Sequence, residues 1–217
     1  MNLMVLVLQE LLKVVSTSIA IFVIVDPFAV MPVYLQLTDR FPLDAVKRTR
    51  IRAAWIAFGI LATFALTGLS IFNLFGITLP AFQIAGGILL LLLGIAQLNS
   101  NRTRIRPEEA NESLERDDVS VFPLGTPLLA GPGAISTVVL YATQAKGPLA
   151  IVELVIAIAL TMIASYLLLK AAHAIFKVLG STGLNLVTRL MGLILTSVAV
   201  QFILNGVKGS LISMGIL

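Results

Sequence analysis

The chain has no cysteine and a single histidine, His173. Without thiols there is no disulfide framework and no thiolate metal site, and one imidazole cannot form a histidine cluster. Charge is also scarce. Asp, Glu, Lys and Arg make up 12% of the 217 residues, against about 25% in soluble domains. No nucleophile–base pair, metal cluster or nucleotide-binding glycine motif is present, so neither an enzyme nor a cofactor is expected. What remains is apolar. Hydrophobic residues are 58% of the chain and the mean hydropathy is +1.02. Charges cluster in a few segments, separated by apolar runs of about 20 residues, the length that crosses about 30 Å of hydrocarbon. An integral membrane protein of the all-α class is expected. A removable signal peptide is not, because the first apolar run is too long and no basic segment precedes it.

Six crossings are read from the pattern: Val14–Leu37, Ala53–Phe75, residues 81–98, Val119–Ala142, Leu149–Leu169 and Leu186–Leu204. An interfacial stretch with Glu10 and Lys13 precedes the first, and these two can pair on one helix face. Between the crossings lie a basic loop at 39–52, a turn at Gly76–Pro80, a polar linker at 99–118, a turn at Lys146–Pro148 and a loop at Lys170–Asn185. Gly86 and Gly87 allow close helix contact. The loops after crossings one, three and five, with the crossing ends beside them, carry all Lys and Arg residues except Lys13, Lys146 and Lys208. By the positive-inside rule these loops are cytoplasmic and both termini are outside, across a plasma (inner) membrane. The net charge of +4 is therefore read as orientation and not as nucleic-acid binding.

Two proline pairs interrupt this pattern. Pro27 and Pro32 fall in the first crossing, in Asp26-Pro27-Phe28-Ala29-Val30-Met31-Pro32. Pro127 and Pro132 fall in the fourth, in Thr126-Pro127-Leu128-Leu129-Ala130-Gly131-Pro132-Gly133. Proline lacks the N–H a helix needs and crowds a carbonyl one turn back. A break in hydrocarbon persists only where protein or a water-filled cavity satisfies the freed groups. The expected architecture is six transmembrane helices as two inverted three-helix repeats, residues 1–98 and 119–217, with helices 1 and 4 discontinuous and 99–118 as cytoplasmic linker. Inverted repeats of this kind carry substrate sites near the midplane. The third crossings also match loosely, Gly87-Ile88-Leu89-Leu90 against Gly192-Leu193-Ile194-Leu195.

Each break exposes two half-helix ends, one attracting an anion and the other a cation. An amino-acid zwitterion offers one of each. Pro132 suits the first turn of a helix, and Gly131 and Gly133 leave the backbone approachable. The N–H groups of Gly133 and Ala134 would then face a carboxylate, with Ser136 and Thr137 nearby. Asp26 would face an ammonium or carry a proton, beside Pro27, Phe28 and Ala29. Thr126 holds the matching place in the second repeat. Asp26 could instead be no more than a helix cap. Glu153 reads as an interfacial residue, and Gln83, Gln97 and Gln201 as hydrogen-bonding glue between helices.

At Asp26–Leu35 and Pro127–Thr137 the sequence resembles the MarC family of small prokaryotic membrane proteins, which includes SnatA-type transporters in the LysE-like superfamily. The resemblance covers essentially the whole chain. It implies transport of small neutral amino acids such as glycine and alanine, coupled to a proton or another cation. Membrane lipid and a homo-oligomeric partner are compatible with six short crossings. The alternatives are an exporter or channel for another small solute, or a membrane assembly factor that transports nothing.

Overall fold

The computed structural model describes residues 3–99 and 118–215. Among these residues there is no strand, and the helices are α1 (Leu3–Val25), α2 (Pro27–Thr38), α3 (Leu43–Phe75), α4 (Leu79–Leu98), α5 (Ser120–Leu129), α6 (Pro132–Gln144), α7 (Pro148–Lys170) and α8 (Ala172–Ser213). Five helices are long and apolar enough to cross a bilayer, and α5 with α6 forms a sixth, bent candidate span. The linker expected at 99–118 lies outside the described residues except for its ends, Asn99 and Asp118.

One local rule bears on the breaks before Pro27, Pro123, Pro127 and Pro132. The residue before a proline is disfavoured in the helical region. Asp26, before Pro27, adopts φ 46°, ψ 64°. Phe122 and Thr126, before Pro123 and Pro127, are extended at φ −131° and −139°. Gly131, before Pro132, has φ −77°, ψ 169°. Met31, before Pro32, stays within α2. At the two ends of α5 stand wide backbone bonds, from Leu124 N–H to the Val119 carbonyl at 3.4 Å and from Ala130 N–H to the Gly125 carbonyl at 3.0 Å. The chain then bends by 58° into α6.

Three boundaries differ from those read in the sequence. Leu8–Val25 is a membrane-length span by itself, so Asp26 closes a full helix and is not in the middle of one. The basic stretch expected as a loop at 39–52 is mostly the start of α3, which begins at Leu43. Its good helix formers, with Asp44 in the first turn, explain the difference. The loop expected at Lys170–Asn185 is helical apart from the α7–α8 junction at Ala171 and a break at Gly180, φ 62°, a conformation open to glycine without strain.

Helix α4 lies along α8, α3 against α7, α5 and α6, and α1 against α7 and α6. Tyr34, Met31, Leu61, Leu124 and Ile158 are fully buried in the core that these contacts enclose. Leu66, Leu92, Leu160, Ile163 and Leu190 stand exposed on the outside, where a bilayer would cover them.

Glycines set the closeness of α4 and α8. A Cβ on Gly87 would stand 2.9 Å from the Ala199 carbonyl oxygen, and one on Gly192 would stand 3.0 Å from the Gly94 carbonyl oxygen. A Cβ on Gly94 would collide with the Thr196 hydroxyl and approach Thr196 N at 2.9 Å. Backbone atoms cannot yield as a side-chain tip can. Gly94→Ala is therefore expected to cost about 1–3 kcal/mol through overpacking. At this chain length each kcal/mol lowers the unfolding temperature by about 2–4 °C. Gly59→Ala is the control, since nothing lies within 4 Å of a Cβ there. Equal melting of the two variants in detergent would show that the α4–α8 contact is not tight.

Candidate functional site

The two helix starts that follow the breaks are built differently. At α2, Asp26 Oδ1 accepts the Ala29 N–H at 3.3 Å, so the chain supplies its own carboxylate cap. At α6, Gly131 is the capping residue and no side chain caps the end. Gly133 and Ala134, whose N–H groups open that helix, are buried. The first N–H groups of a helix have no partner within it, so where they are buried without a side-chain cap a ligand can answer them.

Asp26 is 3% exposed. Its Oδ2 is buried and has no hydrogen-bond partner. The Gln97 side chain, from the last turn of α4, lies against the Asp26 carboxyl. Gln97 Oε1 is also buried without a partner, as is Thr126 Oγ1.

Helix α4 ties the parts together. A Cβ on Gly133 would run into Leu90 Cδ2 and stand 3.6 Å from Ile24 Cγ2, two residues before Asp26. Gly86 faces Ser136, whose Cβ would be 3.0 Å from an added Cβ. Gly131 is tight for a different reason, with the Pro127 carbonyl oxygen 2.6 Å from the place of its Cβ. Thus Gly133 lies beside α4 and the end of α1, and Ser136 lies beside α4. Phe28 packs edge-on to Phe22 at 6.4 Å, and Pro132 is exposed. Thr137 donates to its own helix, to the Gly133 carbonyl at 2.9 Å.

Two residues stand out that the sequence alone does not mark. Gln97 shares its only signal, polarity in an apolar span, with Gln83 and Gln201, and Gln201 spends its amide on Asn205 at 2.8 Å. Arg50 reads as one more loop charge, yet it is only 9% exposed. Its Nη1 donates to the Tyr34 hydroxyl at 3.5 Å, and its guanidinium lies 5.0 Å from the Tyr166 ring centroid. It thereby ties α2 to α3 and α7. Arg52, two residues on, pairs with Asp118 at 2.9 Å. The Ser120 hydroxyl, above all, holds the Asp118 carboxyl below the usual range.

Among the described residues, cavities open between the helices. One of about 310 Å³, between α3 and α7, is lined by Trp55, Phe58, Met162 and Tyr166 and is apolar. Another, of about 220 Å³, is lined by Lys13, Ser16, Thr17, Tyr141, Gln144 and Glu153. Lys13 pairs there with Glu10 at 2.8 Å.

Fold and site together define a multi-pass α-helical integral membrane protein with buried, unsatisfied polar groups at its helix breaks. The chain belongs to the MarC family of integral membrane proteins, which it matches over residues 11–211. It is 38% identical over 194 residues to a UPF0056 membrane protein of Methanocaldococcus jannaschii, covering 89% of this chain and 95% of that one. It is 33% identical over 193 residues to the UPF0056 membrane protein YhcE of Escherichia coli, covering 88% and 90%. It is 36% identical over 199 residues to YvbG of Bacillus subtilis, covering 90% and 94%. No solved structure matches the chain.

Proposed function

We propose that this protein is a secondary transporter of small neutral amino acids, such as glycine and alanine, coupled to protons. One observation carries the reading: α2 begins on the chain's own carboxylate, whereas α6, whose Gly133 and Ala134 are buried, has no side-chain cap. A substrate carboxylate would complete the second as Asp26 completes the first. The ammonium would turn to Asp26 Oδ2, which has no partner. Leu90 and Ile24 crowd the place beside Gly133, which supports a substrate with a small side chain, as glycine and alanine have.

In this reading residues 1–98 and 119–217 are inverted repeats that rock about the site. The reciprocal packing of α4 and α8 supports it. With Gly87 matched to Gly192, Gly94 falls opposite Ala199, and the contacts Gly87–Ala199 and Gly192–Gly94 exchange under a twofold axis. The polar cavity at Lys13 and Glu153 is then the outer vestibule, with the basic ends on the cytoplasmic side.

The test is uptake of labelled glycine and alanine into proteoliposomes, with and without an inward proton gradient. Saturable, gradient-driven uptake with counterflow is expected. Flux without saturation or counterflow would mean a channel, and no flux of either amino acid would overturn the transporter reading.

A further inference from the structure

Two buried oxygens stand on adjacent side chains without a hydrogen-bond partner of their own, although the Gln97 amide nitrogen is near enough to the Asp26 carboxyl to act on it as a donor. Asp26 Oδ2 and Gln97 Oε1 are each without a partner, and the Gln97 side chain lies against the Asp26 carboxyl. Neighbouring buried acceptors without partners are costly. The base of Gln97 is also held in position, because its Cβ lies 2.8 Å from where a Cβ on Gly192 of α8 would be. It cannot retreat toward α8 without parting the two helices. A group with several N–H donors and a positive charge satisfies both oxygens at once.

We propose that Gln97 is a direct substrate ligand, accepting one N–H of the substrate's primary ammonium while Asp26 Oδ2 accepts another. This rests on the transporter reading. It adds a selectivity: the site counts hydrogens on the substrate nitrogen. Glycine has three, and N,N-dimethylglycine keeps one, which can serve only one of the two oxygens.

The experiment measures glycine uptake in proteoliposomes containing wild type or Gln97→Leu, with N,N-dimethylglycine as competitor. Gln97→Leu is expected to raise the glycine KM about tenfold, the scale of one charge-assisted hydrogen bond, with kcat little changed. It should also narrow the preference for glycine over N,N-dimethylglycine by a similar factor. A purely structural role for Gln97 would not move that ratio. Gln97→Met, unbranched like glutamine, supplies the same comparison should the leucine variant not insert. An unchanged KM and ratio would overturn the role of Gln97 while leaving the transporter intact. Loss of a sodium dependence with glycine KM unchanged would assign the two oxygens to a metal cation and overturn the ammonium. Wild type that moves no glycine would remove the reading beneath.

Discussion

Asp26→Asn is expected to cut gradient-driven glycine uptake by about 10- to 100-fold, the range of one lost hydrogen bond to a charged group. The substitution separates two roles of one side chain. Asn still offers an oxygen to the Ala29 N–H, so the cap on α2 survives. What disappears is the negative charge at Oδ2 and the capacity to carry a proton. Asp26→Ala would remove the cap as well, costing about 0.5–2 kcal/mol of helix stability, and would confuse the two. Counterflow divides the outcomes further. If exchange without a gradient persists while gradient-driven uptake is lost, Asp26 carries the proton. If both are lost, it binds substrate. If both persist, it is a helix cap and nothing more.

The helical class and the approximate number of candidate spans were legible because both rest on local chemistry, apolar length and charge clustering, but the first crossing was placed too late and Pro32 lies inside α2 without interrupting it. The pre-proline rule accounts for the departures from helical geometry at Asp26, Phe122, Thr126 and Gly131. Helix ends were less legible. Leu43–Arg52 is polar enough to read as a loop, but the burial of Arg50 within it depends on neighbours from α2 and α7. Gln97 was invisible for the same reason. Nothing around it in the sequence marks it, and only the packing of α4 against α8 and Asp26 distinguishes it from Gln201. Side chains whose meaning lies in contacts across the chain cannot be sorted by local pattern.

The same contrast separates the two glycines at the second break. Gly131→Ala is expected to reduce uptake per inserted protein by at least about tenfold, with no nearby substitution able to restore it. Its Cβ would meet the Pro127 carbonyl oxygen at 2.6 Å, a backbone atom held by the proline ring. The turn from Ala130 to Pro132 must open, and the uncapped start of α6 turns with it. Gly133→Ala meets a different obstacle, the tip of the Leu90 side chain. Leu90→Val shortens that side chain at a cost of about 0.5–1.5 kcal/mol, so it should recover much of the uptake that Gly133→Ala loses. Uptake is normalised to the amount of inserted protein, which separates a damaged site from failed folding. Wild-type uptake by Gly131→Ala would show that the turn at Pro127–Gly131 is not part of the transport site. Failure of Leu90→Val to help Gly133→Ala would mean that the added methyl itself stands where the substrate binds, over the first N–H groups of α6.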